Sequence, residues 1–174
     1  MVDPLGALRV LMHSLAFGAL KTLAGAEEVI SRYQLELTAD VMGHSLVYWV
    51  QACLKAGLMD RGVRIFAMTS IGGSRAVPNY GPVSAAKATQ EAHIRQLAVE
   101  LALAGITAYA ILAGVTDANA LRQIPGYEKI MEVAHQRNPN RRLTQPEDVP
   151  RCIAALCHPA TYWLTGMLTE ERTS

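Results

Sequence analysis

Short unbroken apolar runs alternate along this chain with longer stretches whose apolar residues fall at turn spacing. Residues 8–17 (LRVLMHSLAF) make a run of the kind shown by a strand covered on both faces. Residues 18–28 read as small-residue loop. Residues 31–59 read as one long helical stretch, with Leu35, Val41, Leu46, Val50 and Leu54 roughly at turn spacing. Asp60-Arg61-Gly62 is expected to end it, the glycine serving as the stop. Residues 63–69 (VRIFAMT) and 106–112 (ITAYAIL) predict two more buried strands. A helix over 83–104 separates them, with Ile94, Leu97 and Leu101 on one face and Gly105 as its breaker. The pattern then weakens, and 114–140 reads as loop with one or two short helices. Thr144-Gln145-Pro146-Glu147 has the form of a helix start, with a capping threonine, proline in the first turn and an acid near the positive end of the dipole. That helix turns Val149, Ile153 and Leu156 inward and stops before Pro159.

Strands alternating with helices predict a parallel sheet with right-handed crossovers, and so an α/β fold. At 174 residues a single domain over 1–174 is expected, without repeats or low-complexity linkers. Hydrophobic residues make up 51% and the formal net charge is +1, which excludes a disordered chain and leaves no basic field for nucleic acid or an anionic membrane. Cys53, Cys152 and Cys157 are too few and too scattered for a disulfide framework, and point to a reducing compartment. Cys157-His158 near Cys152 matches no usual zinc spacing, so no metal site is expected. Arg9, the apolar residues 10–20 and Ala24-Gly25-Ala26 have the outline of a secretory leader. His13, Ser14 and Lys21 interrupt the run, however, and Asp3 opposes a positive start. A cytoplasmic protein is expected.

The candidate chemistry lies in 69–87, TSIGGSRAVPNYGPVSAAK. A buried strand ends in the hydroxyl residues Thr69 and Ser70, a glycine loop follows, then Tyr80, then Lys87 on the next helix. Ligands of parallel sheets bind where the carboxyl ends of the strands open into a crevice. A tyrosine is a weak acid, with an ordinary pKa near ~10, and a neighbouring lysine charge makes its phenol a better proton donor. Taken alone, a tyrosine and a lysine at this spacing are commonplace on surfaces. His13, His44 and His93 read as packed or surface histidines, and Met42, Met59 and Met68 as core filler.

This segment resembles the active-site segment of the short-chain dehydrogenase/reductase superfamily. Its usual Tyr-x3-Lys form is absent, because Val83 stands four residues before Lys87. Tyr80 with six residues before Lys87 is instead similar to the enoyl-acyl-carrier-protein reductase branch, as is the phrase Arg75-Ala76-Val77-Pro78-Asn79-Tyr80. The resemblance extends to His13-Ser14-Leu15-Ala16-Phe17-Gly18, to Asp40-Val41-Met42-Gly43 (aspartate where the superfamily carries asparagine), and to Ala113-Gly114-Val115-Thr116-Asp117. Arg142-Leu143-Thr144 and Leu164-Thr165-Gly166 also agree with it.

What the resemblance implies is a Rossmann-like three-layer α/β/α sandwich that reduces a 2-enoyl thioester, linked to acyl carrier protein or to coenzyme A, with NADH or NADPH. Hydride would land on the β-carbon while negative charge develops on the distant thioester oxygen, which a displaced tyrosine can reach. Tyr80 and Lys87 would be catalytic, with Ser70 as a supporting polar group, and Lys87 would also hold the nicotinamide ribose. Ser14, Leu15, Ala16, Thr69, Gly114, Val115 and Thr116 would contact the cofactor, and residues 120–142 the substrate. A homo-oligomer, tetramer or dimer, is implied. The family's opening strand, Gly-rich turn and helix have no counterpart before Leu8. The chain is therefore expected to begin at the family's fourth strand, to present residues 8–17 as an unprotected apolar edge, and to be impaired by itself. After Met167 a last strand would follow in the family, whereas residues 168–174 here are polar and diverge. Two other functions stay open: a non-catalytic interaction subunit, or a reductase of another carbonyl or enoyl substrate.

Overall fold

The computed structural model describes residues 7–26, 28–116, 119–122 and 126–170. These divide into two compact units, one of residues 1–111 with 164–168, the other of 112–163 with 169–174.

The first unit is built on a parallel sheet. Strands β1 (Val10–His13), β2 (Arg64–Met68) and β3 (Thr107–Leu112) pair in parallel, with Val10 opposite Arg64 and Arg64 opposite Thr107. A fourth strand, β4 (Met167–Glu170), completes the order β1-β2-β3-β4. Because side chains alternate along a strand, β2 and β3 present two sets. Ile65 and Ala67 on β2, with Ala108 and Ala110 on β3, join Leu46, Val50, Ile94 and Leu97 in the main core. The small alanines leave room for the helices above them. The other set brings Phe66 opposite Tyr109, both without exposure and with rings stacked at 5.2 Å. An unbroken apolar run in each strand is what two covered faces require.

The helical stretch has more structure than its periodicity suggests. Helix α1 (Arg32–Ala39) opens on Ser31, whose hydroxyl accepts from the Gln34 amide while the Gln34 side chain accepts from the Ser31 amide, a reciprocal cap. A π-helical turn (Asp40–His44) follows and passes directly into α2 (Ser45–Lys55). Its end corrects the expectation from sequence: the stop is Gly57, at φ 68, and not Gly62. Gly62 also has a positive φ of 97, but serves the turn into β2. Helix α3 (Gly81–Glu100) buries Ile94 and Leu97 as predicted.

Three further expectations are corrected. The first strand is confined to Val10–His13, because from Ser14 onward the chain leaves the sheet and docks on the helices, with the Ala19 amide donating to Thr38 Oγ1 at 3.2 Å. A strand forms where polar divergence was expected: the Thr165 hydroxyl accepts from the Ala108 amide (3.1 Å) and Gly166 N–H donates to the Ala108 carbonyl (2.8 Å), leading the chain into β4. Thr144 is not a helix cap. It is buried and forms a parallel bridge with Thr116, while helix α6 (Asp148–Leu156) begins later, and the Asp148 carboxylate accepts from the Gln145 amide at 2.8 Å.

In the second unit, α4 (Asn119–Arg122) and α5 (Tyr127–Arg137) precede α6, whose Val149, Ile153 and Leu156 are half-buried. Among the described residues, no helix is long and apolar enough to cross a membrane, and no group of three or more His, Cys, Asp or Glu could hold a metal ion.

Candidate functional site

Tyr80 is placed by a tight turn. Its amide donates to the Val77 carbonyl at 3.1 Å, Pro78 occupies the second position and Asn79 the third, at φ 58. Proline cannot take positive φ, so this is the type II turn, which favours glycine or asparagine at its third position. The turn delivers Tyr80 to the first position before α3, where it packs on Met42, Val83 and Ala86. Its hydroxyl donates to Ser70 Oγ at 3.3 Å. Ser70 itself follows the carboxyl end of β2 and accepts from the Gly72 amide at 3.3 Å. A Cβ at Gly72 would lie 2.5 Å from the Tyr80 ring, so the loop glycine is what admits the ring.

Tyr80 and Lys87 lie seven positions apart. At ~100° per residue that is two turns and nearly the same face, with roughly 10 Å of axial rise. The longer spacing therefore keeps both groups on one side of α3 while moving the phenol one turn further along it. Lys87 is buried, and its Nζ donates to the Met68 carbonyl at 2.6 Å and to Gln90 Oε1 at 3.2 Å, with the Leu15 carbonyl at 3.5 Å. Burial pulls its pKa down to about 8, against the opposing charge of Glu91. The Thr69 hydroxyl donates to Glu91 Oε1 at 2.5 Å.

The candidates from sequence are Ser14, Leu15, Ala16, Thr69, Ser70, Tyr80 and Lys87, with Gly114, Val115 and Thr116. In the structure Leu15 reaches Lys87 through its backbone carbonyl, Tyr80 reaches Ser70, and Thr69 is turned to Glu91. Ser14 and Leu15 line a groove of about 320 Å³ with Leu11, Met12, His13 and Trp49. Gly114, Val115 and Thr116 belong to the second unit, where Thr116 Oγ1 donates to the Gly114 carbonyl at 3.2 Å. Asp117 lies outside the described residues. In the same unit Arg122, Tyr127, Met131, His135 and Leu143 line a second groove, of about 480 Å³. Asp40-Val41-Met42-Gly43, singled out by resemblance, falls within the π-helical turn Asp40–His44, a distortion often found at functional sites.

Two participants went unread in the sequence. Gln90 has no exposure and touches Lys87, and its place three residues after the lysine, on the same helix face, was the available signal. Ser84 Oγ, one turn after Tyr80, is buried with no hydrogen-bond partner among the described residues.

A sequence model of the family described as Enoyl-(Acyl carrier protein) reductase matches residues 1–169. The chain belongs to that family. Its relatives include the NADH-dependent enoyl-[acyl-carrier-protein] reductase FabI of Nostoc, 33% identical over 95% of this chain and 64% of the relative. The Buchnera aphidicola FabI is 30% identical over 90% of this chain and 60% of its own length. The Bacillus cereus enoyl-acyl carrier protein reductase, solved with NADP+ and an indole naphthyridinone, superposes with a TM-score of 0.87 at 28% identity, covering 98% of this chain and 65% of that one. The chain thus spans about 60% of the length of the relatives it matches. The fold is the family's Rossmann-like α/β arrangement.

Proposed function

We propose that this chain carries the reducing site of an enoyl-thioester reductase, acting on a 2-enoyl group linked to acyl carrier protein or coenzyme A with NADH or NADPH. The observation that carries this reading is the placement of Tyr80 at the cap of α3, hydrogen-bonded to Ser70 after the carboxyl end of β2, with Lys87 about two turns further along that helix, within a chain of this family. The residues present fit a nicotinamide nucleotide. The ammonium of Lys87 spends two donors on short bonds, and its third contact, to Leu15 at 3.5 Å, is the weakest, so that donor can pass to a ribose hydroxyl. In this reading Ser14 and Leu15 add contacts from their groove, and Gly114, Val115 and Thr116 are assigned as cofactor contacts by the family resemblance alone. When bound, the reduced nicotinamide supplies the hydride. Tyr80 turns its hydroxyl from Ser70 to the thioester oxygen and stabilises the charge that develops there. Lys87 holds the sugar through the donor now directed at the Leu15 carbonyl. Assembly as a homo-oligomer, and a cytoplasmic location matched to its free cysteines, belong to the same proposal.

The test is fluorescence titration of the folded chain with NADH and with NADPH, followed by turnover of a crotonyl thioester. Saturable binding is expected, with Tyr80→Phe lowering turnover about 10²-fold or more while binding persists. Absence of binding up to millimolar cofactor would sink the reading. It would favour a non-catalytic interaction subunit, for which the exposed Met12, Leu15 and Phe17 at and after β1 are the supporting observation.

A further inference from the structure

The groups behind Lys87 form a single directed chain of hydrogen bonds. Lysine has no acceptor, so the Gln90 atom 3.2 Å from its Nζ must be the amide oxygen. That orientation points the amide nitrogen at His13 Nδ1, 2.5 Å away. An N–H facing this ring nitrogen requires a lone pair there, which puts the imidazole proton on Nε2. Nε2 lies 2.8 Å from Ser45 Oγ, and the Ser45 hydroxyl donates in turn to the Val41 carbonyl at 2.6 Å. One assignment of protons fits all four bonds: Lys87 to Gln90, Gln90 to His13, His13 to Ser45, Ser45 to Val41. It needs a neutral His13, since a second ring proton would meet the Gln90 N–H head on.

The members come from β1, the π-helical turn, α2 and α3, so the chain ties four elements to one ammonium. Its central residues are sealed, Gln90 at 0% exposure and His13 at 4%. An amide without access to water must find its partners inside, and this one finds both. The titratable groups facing Lys87 are His13 from β1 and Glu91 from α3. Burial and the charge of Lys87 both lower the His13 pKa, in keeping with the neutral ring.

We propose that Gln90 and His13 are positioning residues for Lys87: the chain anchored at Val41 and Ser45 presents one amide oxygen that aims the ammonium, and the neutral Nε2–H form of His13 holds that amide in place. For its catalytic consequence this inference rests on the function proposed above.

The experiment separates the two. Nitrogen NMR of the His13 ring, and NMR titration of the Lys87 ε-methylene, are recorded on the 174-residue chain in the parent, Gln90→Glu and Gln90→Leu. The parent is expected to show the Nε2–H tautomer. In Gln90→Glu the carboxylate should raise the Lys87 midpoint by about one unit or more and draw a second proton onto His13. Gln90→Leu should lower the Lys87 midpoint and abolish the tautomer preference. An Nδ1–H tautomer in the parent, or a Lys87 midpoint unmoved in Gln90→Glu, overturns the proposal. If Gln90→Leu does not fold, the parent tautomer and Gln90→Glu still decide. NADH titration against pH supplies the second arm. Gln90→Glu should displace the pH profile of the Kd along with the Lys87 midpoint, and a parent that binds NADH with a profile unmoved in Gln90→Glu overturns the positioning role. A parent that binds no dinucleotide sinks the enzymatic reading, while the NMR still decides the network.

Discussion

Lys87 shows how one side chain can couple stability to pH. Its ordinary value is 10.5 and burial brings it to about 8, so the folded chain releases this proton earlier than the unfolded chain does. Below about 8 the folded chain holds a buried cation at a cost in stability. Between about 8 and 10.5 the unfolded state binds the extra proton, so stability contributed at this site rises with pH and the cost disappears. Lys87→Met removes the titration. The stability of Lys87→Met relative to the parent is therefore expected to fall by on the order of 3 kcal/mol from pH 7 to pH 10.5. Urea unfolding at several pH values measures this, and a pH-independent difference would show that the ammonium is not desolvated. Tyr80 and Lys87 were legible in the sequence as candidates, because their spacing along the chain is a local property. Gln90 was not, since an amide on an apolar face gains meaning only from the His13 and Lys87 groups that folding brings to it.

The element that organises the site is the π-helical turn joining α1 to α2. Within it Gly43 lies where the helix meets α3, and a Cβ there would come 3.1 Å from the Ala86 carbonyl and 3.3 Å from Thr89 Cγ2. Neither neighbour is the free end of a flexible chain. In an exposed helix, Gly to Ala gains about 1 kcal/mol. At Gly43 the sign should reverse, with a loss of about 1–3 kcal/mol as α3 is pushed away, and with a change in the environment of Tyr80 through Met42, Val83 and Ala86. Gly25→Ala, where a Cβ meets nothing within 4 Å, is the control. Thermal melts of the two variants test this, and equal melting temperatures would refute it. The helical stretch itself was readable from its apolar spacing, but the π-helical turn was not. A one-residue widening of the turn leaves the hydrophobic period almost unchanged, and its justification lies in the contact with α3.

For the whole molecule, the consequential feature is the sheet edge. Among the described residues β1 forms one end of the order β1-β2-β3-β4, with Met12 on it 37% exposed; Leu15 at 38% and Phe17 at 58% follow just beyond it, where the chain has left the sheet, and Trp49 lines a groove with Met12 and Leu15. An edge of this kind offers unpaired backbone groups and apolar side chains together, which favours association. The 174-residue chain is expected to self-associate with concentration, and Met12→Lys to reduce that association while lowering the unfolding free energy by no more than about 1 kcal/mol. Light scattering across a concentration series decides it. A parent that stays monomeric at high concentration would count against an adhesive edge.

Sequence alone determined the elements whose signals are local. The apolar runs of β2 and β3, the turn-spaced Ile94 and Leu97 of α3, and the ordered motifs that mark the family all depend on residues close in the chain. Only the tertiary structure decided that Thr144 bridges to Thr116 instead of capping a helix, and that Met167–Glu170 pairs as a strand. It likewise decided that His13, Ser45 and Gln90 line up behind Lys87. Each depends on hydrogen-bond partners dozens of residues away. A local pattern records which face of an element is apolar, but not which distant polar group will be buried against it.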